Sequence, residues 1–219
     1  MHETRRTPII NKWYSAIIVL MPILNIYSAG IRSLGIGDVL GVIIIVCLLM
    51  SNGFRIRTTE RKYGRFMLYF LSISFALTIV ISEYSFTQFL LKGLRFLIYT
   101  VLIICFGRDR FDAEYGFNLY VRISTIAAAY LIVQYMFKTF FSISLPITIP
   151  YLKLTFSDST GAAYNEQLLT MYSIFGYRAP GFFKEPAHLC QYVVLSVVLL
   201  LFESSRDMKR NISLVIITA

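Results

Sequence analysis

Glu185 and His188 stand three residues apart in RAPGFFKEPAHLCQY, the stretch from Arg178 to Tyr192, which also holds Lys184. On a helix that spacing sets both side chains on one face, about 5 to 6 Å apart. A carboxylate beside an imidazole can take the proton of an attacking hydroxyl. Arg178 offers a planar, permanently charged fork that grips phosphate oxygens at two points. Lys184 adds a second cation, and a helix N-terminus draws anions through its unpaired N–H groups and its dipole. Together these residue types suit a phosphate-bearing substrate held beside a group that can accept a hydroxyl proton. They also read as plain structure: Glu185-Pro186 as a helix start, Gly181 as a turn, Arg178 as an interfacial anchor and His188 as a structural hydrogen-bonder. Local chemistry leaves both readings open.

Other charges lie inside apolar runs. Lys92 and Arg95, again three apart, can join Arg178 around an anion or snorkel to an interface. Arg122 sits close enough to the end of its run to snorkel. Asp38 opens another run, either as a helix N-terminal acid or as a polar contact. The sequence has no P-loop, HExxH, GxSxG or paired-Asp motif, so neither a nucleotide cofactor nor a metal is expected. Cys47, Cys105 and Cys190 lie in or beside apolar runs without metal or disulfide spacing and are expected to be buried, inert thiols.

The elements that must position these groups follow from composition. With 57% hydrophobic and 15% charged residues, the chain is far more apolar than a soluble domain. Continuous apolar runs occupy Trp13 to Ile31, Ile36 to Met50, Phe66 to Ser82, Phe89 to Phe106, Phe117 to Phe137 and Ala187 to Phe202. They do not alternate, so a barrel is excluded and helices are expected. The first run is too long for a signal core and lacks a small-x-small cleavage site. The expected fold is an all-α transmembrane bundle over residues 1–219, with about six complete spans of roughly 20 residues.

Basic residues fall in every second connection: Arg5, Arg6 and Lys12; then Arg55, Arg57, Arg61, Lys62 and Arg65; then Arg108 and Arg110; then Arg206, Lys209 and Arg210. This places the N-terminus in the cytoplasm and the 138–186 connection outside. The formal charge of +9 is therefore a matter of membrane orientation, and nucleic-acid binding is rejected. The outer connection carries Pro146, Pro150 and the SDSTG cluster at Ser157 to Gly161, and its apolar start, TFFSISLPITIPY, is expected to lie in the interface or re-enter. A last apolar run opens at Ile212, so the chain is expected to be the N-terminal part of a longer protein, with a seventh span only begun.

The stretch RAPGFFKEPAHLCQYVVLSVVLLLF resembles the segment of Wzy-type O-antigen polymerases and related O-antigen ligases that leads from an outer loop into the next span. Arg178, Gly181, Glu185 and Pro186 carry the likeness, and IGDVLGVIII around Asp38 resembles the second helix of that family. The resemblance implies a polysaccharide polymerase of a bacterial plasma membrane. Such a protein moves a growing glycan from a polyprenyl diphosphate carrier onto the next lipid-linked repeat unit, without metal or nucleotide sugar, beside other polysaccharide-assembly proteins. On that pattern Arg178, Lys184 and Arg95, with Lys92 nearby, face the diphosphate, and Glu185 or His188 handles the acceptor proton. The alternatives are an O-antigen ligase and a transporter or flippase of lipid-linked oligosaccharide.

Overall fold

In a computed structural model the described residues are 8–30, 34–52, 58–80, 86–155, 160–175, 177, 179–183, 185–202, 212–213 and 215–217. The fold is all-α. It divides into two compact units, Met1–Ala113 and Glu114–Ala219.

The first unit begins with α1, Ile9–Leu24, and α2, Ile36–Asn52. The apolar run that starts at Trp13 continues to Ile31, yet α1 stops at Leu24. Pro22 removes one rung of the ladder inside the helix, which resumes with the Asn25 N–H on the Met21 carbonyl at 3.0 Å before the chain turns over residues 25–30, with Gly30 at φ +90°. The Ala29 N–H bonds to the Leu34 carbonyl at 3.0 Å and the Ile36 N–H to Tyr27 at 2.9 Å, closing an α1–α2 hairpin. Helix α3, Thr58–Val80, starts two turns before its apolar run, because the charged residues preceding Phe66 are good helix formers. Helix α4, Phe86–Thr100, runs through a π-helical turn, Val101–Phe106, into the short α5, Gly107–Arg110.

Tyr14 and Met21 of α1, Ile44 and Leu48 of α2, Ile98 of α4 and Leu102 and Phe106 of the π turn form the core of this unit. The Tyr14 hydroxyl donates to the Leu102 carbonyl at 2.6 Å, at the point where the helical ladder is widened. A Cβ on Gly41 would lie 3.1 Å from both Leu102 Cδ1 and Met21 Cε, so the small residue lets three helices close together. Large apolar residues also face outward, among them Phe66, Leu68, Tyr69 and Ile73 of α3.

In the second unit α6, Ala113–Phe141, ends where Ser142 takes φ +57° and the Ile143 N–H folds back to the Phe137 carbonyl at 3.2 Å. The 138–186 connection is built rather than slack, for it contains α7, Gly161–Phe175. Asn165 of α7 secures the stretch before it. Its Oδ1 accepts from the N–H groups of Ile147 and Thr148 at 3.2 and 3.1 Å, and its Nδ2 donates to the Thr148 carbonyl at 3.2 Å. The Thr148 hydroxyl sits 3.1 Å from both the Gly161 carbonyl and Asn165 Oδ1, with one proton for either. Of the SDSTG cluster, Ser157 to Ser159 lie outside the described residues. Pro186 opens α8, Pro186–Phe202.

Among the described residues two helical stretches are long and apolar enough to cross a membrane, Phe89–Arg110 and Ala113–Phe141; Ile9–Leu24, Ile36–Ser51 and Pro186–Leu201 are apolar but shorter. The cysteines depart from the buried state expected of them. Cys47 and Cys190 are exposed and Cys105 is half-buried. An apolar run reveals that a helix shuns water, but not which face meets the core.

Among the described glycines Gly161 makes the tightest backbone approach, since a Cβ there would stand 2.1 Å from the Ile149 carbonyl oxygen. Gly161→Ala is expected to destabilise the second unit by on the order of 1–3 kcal/mol, read as a lower unfolding midpoint in detergent. An unchanged midpoint would mean that the Ile149 carbonyl moves aside freely.

Candidate functional site

The turn that leads into α8 is held from α6. Gln134, fully buried, uses both ends of its amide on Gly181: Oε1 accepts from the Gly181 N–H at 3.0 Å, and Nε2 lies 3.3 Å from the Gly181 carbonyl and 3.2 Å from that of Pro146. Gly181 has φ +63°, and a Cβ on it would meet Leu189 Cδ2 at 3.1 Å and the Ala127 carbonyl oxygen at 3.3 Å. Left-handed backbone and close packing together require glycine here. The Phe183 N–H closes the turn on the Pro180 carbonyl at 3.1 Å. The flanking rings anchor it: Phe182 stacks on Tyr130 with centroids 4.6 Å apart, and Phe183 packs on Tyr192 at 5.2 Å. Tyr192 in turn meets Tyr120 at 4.8 Å, and the Tyr120 hydroxyl donates to the Tyr192 carbonyl.

Glu185 then serves as the start of α8, its carbonyl accepting from the N–H groups of His188 at 3.1 Å and Leu189 at 3.4 Å. Glu185 and His188 are both exposed, one turn apart at the helix mouth. Among the described residues no hydrogen bond or ion pair joins the Glu185 carboxylate to the His188 imidazole. Arg178 and Lys184 lie outside the described residues, as do Arg5, Arg6, Arg55, Arg57, Arg206, Lys209 and Arg210 of the orientation argument. Lys138, near the end of α6, places its Nζ 6.0 Å from the centre of the Tyr177 ring.

A second polar cluster lies in the first unit. Asp38, at 1% exposure, is the third residue of α2 and reaches back to the Gly35 N–H at 2.8 Å, half of a capping box. The other half comes from outside the helix, where Asn25 Oδ1 accepts the Asp38 N–H at 3.0 Å. A Cβ on Gly35 or Gly37 would fall 2.5 or 2.6 Å from that oxygen, so the two glycines make room for Asn25. Asn25 Nδ2 donates to the Tyr99 hydroxyl, which donates to Asp38 Oδ1 at 2.9 Å. Arg95 gives Nε and Nη2 to Asp38 Oδ2 at 2.8 and 2.6 Å. Asp38 thus takes both of the roles open to it in the sequence, and Arg95 turns inward with its side chain 17% exposed. Lys92 belongs to α4, one turn before Arg95.

Asn25, Tyr99, Gln134 and Asn165 were not marked by their chemistry in the sequence. The signal for Gln134 is present nonetheless, as a lone amide in the apolar LIVQYMF. A polar side chain in such a run needs an internal partner. Among the described residues no group of three or more His, Cys, Asp or Glu side chains could hold a metal. Comparisons with protein-family models, with curated proteins and with solved structures return no match.

Removing one member of a buried ion pair leaves the other uncompensated. Asp38→Leu and Arg95→Met are each expected to cost about 3–5 kcal/mol in unfolding free energy, and the double variant less than their sum. Strictly additive losses in that cycle would show that the pair contributes no coupling.

Proposed function

We propose that this chain is a multi-pass protein of a bacterial plasma membrane, with about six spans, an inner N-terminus and the 138–186 connection outside. We assign it to the polymerisation of lipid-linked oligosaccharide repeat units into surface polysaccharide. The observation that carries the reading is the turn at the mouth of α8. In a chain this apolar, Gly181 is fixed by a buried amide while Glu185 and His188 remain exposed beside it. A rigid support under open ionisable groups is what positioned proton transfer needs.

In the proposed reaction the acceptor hydroxyl attacks the anomeric carbon of the donor glycan. The bond from that carbon to the diphosphate oxygen breaks, and the diphosphate leaves with the electron pair. Arg178 and Lys184 offset the charge that grows on it. Glu185 or His188 receives the hydroxyl proton. Arg95, already partnered by Asp38, has less charge to offer, so the diphosphate falls chiefly to the Arg178–Lys184 pair. Gln134 is a positioning residue acting through Gly181.

The test is complementation in a strain without its own polymerase, with the surface glycan displayed on a gel. The intact protein is expected to yield a polymer ladder. Arg178→Ala is expected to collapse it to single repeat units, a loss of about 10²-fold or more in transfer. Normal polymer with Arg178→Lys would refute two-point phosphate binding. A ladder untouched by Arg178→Ala would discard this site, and no ladder from the intact protein would favour a ligase or a flippase.

A further inference from the structure

From the backbone that follows α6 we infer that residues 142–151 form a re-entrant segment seated in the lipid at the membrane surface, rather than a loop standing in water. The inference rests on the membrane reading above. The apolar stretch of α6 is bounded by Arg122, which is exposed, and by Lys138. Cations at such positions mark the edges of the hydrocarbon layer, reaching out of it along their apolar stems.

After Lys138 the chain does not continue outward. It reverses at Ser142, and the Pro146 carbonyl accepts from the Tyr130 hydroxyl at 2.6 Å and from Gln134 Nε2 at 3.2 Å. Gln134 and Tyr130 precede Lys138 by one and two helical turns, so Pro146 lies roughly 6 to 12 Å inside the level of Lys138 at 1.5 Å per residue. Gly181, bonded to the same Gln134, shares that depth.

Two further observations fit lipid as the surrounding medium. Irregular backbone survives away from water only where protein groups satisfy it. Here Asn165 and Gln134 bond Pro146, Ile147 and Thr148, while Pro146 and Pro150 have no N–H to satisfy. Apart from Ser142, the exposed side chains here are apolar or aromatic: Phe140 is 72% and Tyr151 92% exposed, with Phe141, Ile143 and Ile149 also open. Lys138 and Lys153 flank this face, matching the anionic headgroups of a bilayer surface.

The measurement is tryptophan quenching in vesicles of phosphatidylcholine with a minor share of phosphatidylglycerol. Trp13→Phe removes the single native tryptophan. Into that background go Tyr151→Trp and Phe140→Trp, both at open positions that tolerate substitution, and Ile126→Trp on the outward face of mid-α6. The expected result is that bromines deep in the acyl chains quench Ile126→Trp. Bromines near the glycerol end are expected to quench the other two, which aqueous iodide does not reach. If Ile126→Trp is quenched by bromine while Tyr151→Trp and Phe140→Trp respond only to iodide, the segment stands in water and the inference is overturned, with the membrane reading intact. If Ile126→Trp is itself insensitive to bromine, the membrane reading fails and the re-entrant segment with it.

Discussion

A carboxylate or peptide group taken out of water without a partner costs several kcal/mol, and both units of this chain are organised around side chains that remove that cost. In the first unit Asp38 is the demanding group. Its two oxygens are met by Gly35, Arg95 and Tyr99, and its own N–H by Asn25. The glycines before and within α2, the end of α1 and the inward course of Arg95 all follow from it, because each either supplies a donor or leaves space for one. In the second unit the demanding groups are the backbone atoms of the non-helical stretches around Pro146 and Gly181. Gln134 and Asn165 answer them with primary amides, which mimic the donor and acceptor of a peptide group.

This division bears on function. The Asp38 cluster is closed, its charges cancelled in a buried pair, and such pairs fix an arrangement more than they add stability. The turn before α8 is the reverse case. Its backbone is closed by Gln134, whereas Glu185 and His188 are left exposed. A site for glycan transfer needs that combination, since a reactive group must meet substrate without wandering. The proposed polymerase assigns the chemistry to the open cluster and the architecture to the closed one.

Each of the six apolar runs overlaps a helix, and α2 and α8 match their runs within one or two residues. The errors have particular causes. The first run overshot α1 because Ile26 and Ile31 are apolar whether or not the helix ends at Asn25. Hydropathy undershot α3 because helix propensity continues through residues too polar to count. Helix α7 was hidden within the long connection because GAAYNEQLLTMYSIF is neither apolar enough to read as a span nor strongly one-sided.

The amino-acid sequence by itself determined an all-α chain of apolar helices, the helix start at Glu185-Pro186 and the special backbone at Gly181, because chain-local properties fix these: hydropathy, a missing N–H, a missing Cβ. Only the tertiary structure decided which polar groups meet. That Arg95 turns to Asp38, 57 residues away, and Gln134 to Gly181, 47 residues away, is invisible to any local pattern. Such pairings follow from which helix faces pack together, and among uniformly apolar helices nearly every face looks alike until the polar residues find one another.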